Sequence, residues 1–301
     1  MTRQWASDRL CQSRVELRRH KVSARHTSAV TILELVIAMT SITSLTSLLL
    51  PAVLASREAG RDQQCANQLG KISAGIHAYE EIHGALPAGW KLDASKSSGY
   101  GWAAAILPQM DEDSLSEQID FSQPIQDASA TVRTQTPAIY LCPSDHGGRD
   151  FPLFAELGAP GANAQQSTKM LVTLPRANYM GVFGVIEPDE VAGDSGEGVF
   201  VEGRGFRYDE ITRGFSHVAL LGERTTRKLP STWLGIAMAG EDAGGRIVGC
   251  ANEGPNRSDT DECEFDSRHF GHVNFAWVDS HVSGVQNDID SHVYQQFAKR
   301  R

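Results

Sequence analysis

A chain of 301 residues has room for one large or two small domains with a real core, and at 41% hydrophobic and 22% charged residues it is neither disordered nor low-complexity. Its net charge of −9 is unevenly spread: residues 1–29 hold seven Arg and Lys against Asp8 and Glu16, a balance of +5, which leaves −14 on residues 30–301. A body that acidic excludes nucleic acid as the main partner, since phosphate binding needs a basic face.

The basic stretch 1–29 has no sustained apolar period and reads as a leader. Residues 30–54 (VTILELVIAMTSITSLTSLLLPAVL) follow as the longest nearly uncharged run, with Glu34 their one charged residue. About 20 residues span a bilayer, so the run suffices for a permanent anchor and is too long for the apolar core of an ordinary secretory signal. The basic residues before it place the N-terminus in the cytoplasm and the body outside. An acid at the centre of such a helix costs about 2.5–3.5 kcal/mol, and less toward its end, which makes Glu34 a candidate functional residue. Thr40, Ser41, Thr43, Ser44, Thr46 and Ser47 can bond back to carbonyls of the preceding turn. Such small residues suit a helix packed closely among identical helices.

One long helix is expected from residue 30 to about residue 83. Its second half repeats Cys65, Leu69, Ile72, Ile76 and Tyr79, a single buried stripe. Pro51 is expected to kink it, and Gly84 with Leu86-Pro87 to end it. The string VTILEL at its start resembles the F-T-L-x-E-L that opens mature type IV pilins and pseudopilins. That resemblance implies cleavage by prepilin peptidase between Ala29 and Val30, methylation of the new N-terminal residue, and assembly through Glu34. Ala29 and Val30 stand where that family usually has Gly and Phe.

Residues 101–110 read as a short helix, 114–119 as another turn or two, and 136–142 as a strand closed by a Cys142-Pro143-Ser144-Asp145 turn. Residues 158–166 read as a Gly/Pro/Ala loop. Gly-punctuated β-like runs follow at 179–186, 198–201, 217–222, 233–238, 246–250, 273–278 and 281–285. Strands after one helix predict an α+β fold with an antiparallel sheet. The last two runs alternate around Asp279-Ser280 and predict a β-hairpin.

Further segments resemble, in order, a large bacterial pilin-like family of unknown function. They are the post-anchor helix 49–89, GWAAAILPQMDEDSLSEQIDFSQP (101–124), YLCPSD (140–145), ANYMGVFG (177–184) and ITRGFSHVALLGE (211–223). The family's C-terminal signature, His, nine residues, Asp-Gly, is matched by His269 and Asp279, with Ser280 in place of Gly. The resemblance covers roughly residues 30–285. It implies a membrane-anchored, exported protein whose long N-terminal helix packs on an antiparallel β-sheet head, and it implies no known activity.

Of five cysteines, Cys11 lies in the leader, while Cys65, Cys142, Cys250 and Cys263 lie in a body expected outside the cytoplasm, where disulfides are permitted. Cys250 and Cys263 bracket a short polar loop and are the expected pair, leaving Cys65 with Cys142. His269, His272, Asp279 and His281, with Asp266 nearby, form the densest candidate metal set. The structural alternative has Asp279 support its turn and His269 bond the hairpin backbone. Asp189, Glu190, Asp194 and Glu197, and further on Asp259, Asp261, Glu262 and Asp266, lie in Gly-bearing loops of the kind calcium favours, without the EF-hand pattern. Glu223 is a lone carboxylate whose simplest partners are Arg224 and Arg227. No hydrolase, Walker or dinucleotide motif occurs, so no catalytic residue and no cofactor are expected; calcium on the acidic loops and zinc or another divalent ion on the His269 set are the candidate ions.

The expected organisation is a leader (1–29), a transmembrane and assembly half-helix (30–54), an amphipathic half-helix (55–84) and an α+β head (85–301). The expected function is that of a pilin-like or pseudopilin-like structural subunit rather than an enzyme. It would sit in the inner membrane as a single-pass protein, N-terminus cytoplasmic and head periplasmic or extracellular. Its expected partners are the membrane, prepilin peptidase and like or related pilin-type subunits. Two rivals stand beside this. One is a tethered head that binds a glycan or protein through aromatics such as Trp90, Trp102 or Trp233; the other is a metal-dependent enzyme on the His269 set.

Overall fold

The computed structural model describes residues 31–156 and 169–301. The leader, Cys11, the Ala29–Val30 bond and the 158–166 loop lie outside them. Two units are distinguished, Met1–Ala52 and Val53–Arg301.

In the first unit, the described chain is almost wholly helical. Helix α1 is assigned over Ile32–His83 and contains Pro51. Its apolar side chains from Ile32 to Val53 are all exposed. The hydroxyls bond back as expected: Thr40 to the Val36 carbonyl at 2.9 Å, Ser41 to Ile37 at 2.8 Å and Thr43 to Met39 at 2.8 Å. These hydroxyls are thereby satisfied within the helix itself, as an apolar surrounding would require.

The second unit begins with the amphipathic part of α1, which buries Cys65, Leu69, Ile72, Ser73, Gly75 and Ile76. Gly84 ends the helix as predicted, with φ +73° and its N–H on the Glu80 carbonyl at 2.7 Å. The principal sheet has five strands in the order β11-β10-β6-β5-β9: β5 (Tyr179–Gly184), β6 (Ala219–Glu223), β9 (Val248–Cys250), β10 (His272–Trp277) and β11 (Val282–Gln286). All its pairings are antiparallel except β5 with β9. Two three-stranded antiparallel sheets flank it in sequence: β1 (Trp90–Leu92), β2 (Ser98–Gly101) and β8 (Gly235–Ala237); and β3 (Asp150–Phe154), β4 (Met170–Ala177) and β7 (Ser231–Thr232). The fold is α+β, as expected.

The five-stranded sheet uses both faces. Tyr179 on β5 donates to Gln68 Oε1 at 2.7 Å and Asn274 on β10 donates to Asp62 at 2.7 Å, so these strands face α1. The alternate residue, Phe275, packs on Phe265 and on Tyr294 and Phe297 of the C-terminal helix Ser291–Phe297. That helix is capped by Asp290, which accepts the His292 and Val293 N–H groups. The predicted hairpin is present as β10–β11. Its turn places Ser280 at φ +69°, where the family signature's Gly would sit without strain.

Two expectations are corrected. Residues 136–142 do not form a strand: Pro137 removes a ladder donor and Ala138–Tyr140 closes into a 3-10 turn. Residues 198–201 are not a strand either; Val199 and Phe200 both donate to the single carbonyl of Val182, which no regular ladder allows. Residues 101–110 divide into a terminal strand residue, a four-residue helix at Trp102–Ala105 and a 3-10 turn at Leu107–Met110.

The buried stripe of α1 gives a direct test. Ile72 is fully buried, and Ile72→Ala should cost about 2–5 kcal/mol. Denaturant unfolding of the full chain in detergent would read this as a fall in midpoint; a midpoint unchanged from the parent would place the helix elsewhere.

Candidate functional site

Four segments distant in sequence meet at one end of the buried helix stripe. Glu58, Asp62 and Cys65 lie four and three residues apart, continuing the stripe that runs on to Leu69. Cys142 opens the predicted tight turn, which forms: the Asp145 N–H reaches the Cys142 carbonyl at 3.1 Å. Glu223 ends β6, and His269 lies in the loop before β10.

Cys65 Sγ and Cys142 Sγ are 2.8 Å apart, and His269 Nε2 is 3.7 Å from Cys142 Sγ. The same Nε2 is 3.5 Å from Glu223 Oε1, while Nδ1 meets Glu58 Oε1 at 2.9 Å. Glu58 also accepts from the Ser144 hydroxyl and pairs with Arg61. Asp62 Oδ1 takes Asn274 and His272. Cys65, Cys142, Glu223 and His269 are all buried, with their ligand-type atoms within 4.8 Å of one another. Glu223 Oε2 accepts the Asn274 N–H at 3.0 Å.

Charge is distributed by these contacts. The bond from Cys65 pulls the Cys142 thiol below its ordinary range against the effect of burial, with His269 adding to the pull. The same bond, with burial, pushes Cys65 upward. Burial opposes charge on His269, yet Cys142 and Glu223 together raise it well above an ordinary imidazole. Partial burial opposes charge on Glu58, but Ser144, Arg61 and His269 hold its carboxyl low. The arrangement is an imidazole held between a thiol and two carboxyl groups, with a second thiol behind the first.

The same turn carries a second buried anion. Asp145 accepts from the Thr226 N–H at 2.9 Å, the Asn178 amide at 2.9 Å and Arg176 at 3.3 Å. Asn178 also accepts the Cys142 N–H at 3.0 Å, which ties the two ends of the turn together. Burial opposes the Asp145 charge, but these donors hold its carboxyl below the usual range.

The sequence-derived metal set is dispersed. His269 and His272 are neighbours, with ring centroids 6.2 Å apart. Asp279 and His281 pair with each other at 2.5 Å at the opposite end of β10. Seven residues of extended chain, at about 3.3 Å each, separate Asp279 from His272, so no single ion can bind all four. Asp266 lies elsewhere, holding Thr225 and Arg227. The His269 ring bonds Glu58 on the helix rather than the hairpin backbone, whereas Asp279 does cap its own turn through the His281 N–H.

Several acids considered for calcium have protein partners: Asp189 accepts the Gly244 and Gly245 N–H groups, Glu197 pairs with Lys299, and Asp259 pairs with Arg257. Glu223 pairs with neither Arg224 nor Arg227. Arg224, the residue after the end of β6, is spent on Ser231 and on backbone carbonyls. Cys250 and Cys263 are disulfide-bonded, as expected, while Cys65 and Cys142 meet as two free thiols. Glu34 is exposed on α1, its carboxylate accepting from the Thr31 N–H and hydroxyl.

A family model described as "Protein of unknown function (DUF1559)" matches residues 55–292. The chain belongs to this family. Among the curated proteins and among the solved structures, the comparisons return no match. The DUF1559 region contains every residue of the cluster, from Glu58 to His269, and begins just after the exposed apolar segment that carries Glu34. Glu58 and Asp62 were not among the residues singled out from the sequence. Their signal was positional: two carboxylates in register with an apolar stripe must meet partners in the core.

Asp145 supplies a pH test with a defined sign. Because its folded-state carboxyl sits below the ordinary value of 3.8, its contribution is complete above that value and is lost as the pH falls through the folded one. Asp145→Asn should lower stability by about 3–5 kcal/mol at pH 7 and flatten the fall in stability between pH 5 and 2.5. Parallel pH profiles for the two proteins, from urea unfolding, would remove Asp145 from this role.

Proposed function

We propose that this DUF1559 chain is an exported, membrane-anchored, pilin-like structural subunit. In this reading prepilin peptidase removes the leader at Ala29–Val30. The mature chain then sits in the inner membrane with its N-terminus cytoplasmic and its head outside, and joins like or related subunits through its N-terminal helix. The observation that carries the reading is the composition of α1 over residues 32–54. One helix near the N-terminus is long and apolar enough to cross a membrane, a property that signal sequences share, and it holds a single carboxylate in its first turn. A secretory signal has no use for that acid. In an assembly the Glu34 carboxylate would meet the freed amine of Val30 on a neighbour, each charge compensating the other's cost in an apolar medium.

The DUF1559 head is read as a structural element, not an enzyme. Its densest set of reactive groups is closed to solvent: Cys65 is 0% exposed, Glu223 2% and His269 4%. That placement favours holding the fold over meeting a substrate.

A second reading, a tethered binding head, is favoured by one feature. A recess of about 460 Å³ is lined by Tyr79, His83, Lys91, Tyr100 and Phe121. The tryptophans named from the sequence cannot serve it, since Trp90, Trp102 and Trp233 are all buried. Phe121 is exposed, so Phe121→Ala should change stability by no more than about 0.5 kcal/mol. Loss of retention on a glycan array by that variant would favour the binding head.

For the subunit reading, Glu34→Ala should leave the protein in the membrane fraction and reduce its incorporation into sheared filaments at least tenfold. The parent's N-terminal peptide should begin at Val30 and carry one methyl group. A chain recovered with residues 1–29 intact, or equal incorporation of Glu34→Ala, would overturn it.

A further inference from the structure

Cys65 and Cys142 come from the helix and from the turn, 77 residues apart, and meet inside the core. Two chemistries fit the pair. With His269 and Glu223 they make a four-donor set of the kind zinc accepts. Alone they make a dithiol ready for oxidation. Distance decides between them. Two thiolates on one tetrahedral zinc, each about 2.3 Å from the metal, stand roughly 3.7 Å apart. At 2.8 Å the two sulfurs are closer than that, one thiol directed at the other. The second zinc-like pair, Cys250 and Cys263 beside Asp261, is already a disulfide.

We propose that Cys65 and Cys142 are an oxidation site that closes into a second disulfide, with Cys142 as the attacking sulfur and His269 as the residue that takes its proton. The bond fastens helix α1 to the turn at 142–145, and the assignment holds whether or not the chain polymerises. His269 is a positioning base with a defined geometry. Its Nδ1 is held by Glu58 at 2.9 Å, which leaves Nε2 directed between Cys142 Sγ and Glu223 Oε1. On receiving the thiol proton, Nε2–H faces the Glu223 oxygen that has no other donor among the described residues.

The oxidant is an external disulfide, a small molecule or a protein carrier. Cys142 thiolate attacks one of its sulfurs, a mixed disulfide forms and one thiolate departs. Cys65 then loses its proton and attacks Cys142 Sγ, expelling the second thiolate. Two protons pass from the chain to the two departing thiolates, so one external disulfide becomes two thiols as one protein bond forms. Cys65 and Cys142 are 0% and 5% exposed, so the carrier meets Cys142 through a transient opening of the helix contact, and Cys65 closes the bond as the helix returns and Glu58 again holds His269. Once docked, the bond is shielded from reductant. Cys250 and Cys263 are 13 residues apart, and their shorter loop closes first.

The test uses the full-length chain in detergent, denatured and reduced, then refolded in an oxidised/reduced glutathione buffer. Samples quenched with iodoacetamide are mapped by mass spectrometry. The expected product is a Cys65–Cys142 linked peptide pair that appears after the Cys250–Cys263 pair. It should resist dithiothreitol until denaturant is added. Melting should fall by about 10 °C in the Cys65→Ser/Cys142→Ser double variant. In His269→Gln the second bond should form about tenfold more slowly at pH 7, and its rate should rise toward alkaline pH, where an unassisted thiol ionises. The Cys250–Cys263 bond in the same molecules controls for oxidant and folding. Alkylated Cys65 and Cys142 in the refolded protein, with or without one equivalent of zinc by elemental analysis, would overturn the bond. An unchanged rate and pH profile in His269→Gln would overturn the role of the base.

Discussion

The head depends on one helix face meeting one sheet face in a single register. The face is written at residues 58, 62, 65, 69, 72 and 76, in steps of four and three. Its C-terminal part, Leu69, Ile72 and Ile76, is apolar and fully buried, worth about 1.5–3 kcal/mol for each side chain taken from water. Apolar contact is non-directional, however, and would tolerate a helix slid or rotated slightly along the sheet. The N-terminal part removes that freedom. Glu58 and Asp62 reach the sheet side as carboxylates and must find donors there, because a partly buried charge without a partner is costly. His269, Ser144 and Asn274 provide those donors only when the helix sits as it does. Hydrophobic burial supplies the attraction, and the polar end supplies its address.

Much of this was legible in the sequence, because it rests on local periods. The helix end at Gly84, the stripe, the last hairpin and the Cys250–Cys263 pairing all follow from spacings within about 15 residues. What was not legible is non-local. β1, β2 and β3 are only three to five residues long, β4 carries a Pro, and their pairing partners lie as far off as β7 and β8. Sheet propensity in such segments comes mostly from those distant neighbours. The turn at Ala138–Tyr140 was misread for a related reason. Its apolar residues look strand-like, yet Tyr140 is buried by a bond to the Ala103 carbonyl and by stacking on Trp233. Tertiary contacts override the local pattern there.

The cluster around His269 illustrates a different limit. Sequence proximity suggested His272, Asp279 and His281 as companions, since all lie within a dozen residues. A β-hairpin separates such residues along its length as readily as it joins them. The real companions come from positions 58, 65, 142 and 223, and only the fold assembles them. Glu223 and Arg224 are likewise neighbours in sequence with different partners: Glu223 accepts the Asn274 N–H, while Arg224 bonds Ser231 and the Cys263 carbonyl.

The turn at 142–145 connects these strands of argument. One end carries Cys142 against the helix, and the other carries Asp145 against Arg176, Asn178 and Thr226. Asn178 touches both ends, accepting from the Cys142 N–H and donating to Asp145. A displacement of the turn therefore disturbs the helix contact and the buried anion together. Buried polar groups linked in this way rise or fall as a set, because each loses its compensation when the next one moves. Helix docking, the state of the two thiols and the ionisation of Asp145 are thus three readouts of one packed unit. That unit lies inside the DUF1559 region, which begins after residues 32–54 in the sequence. An exposed apolar helix and a packed polar core have different physical requirements, and the chain meets them with separate stretches of sequence.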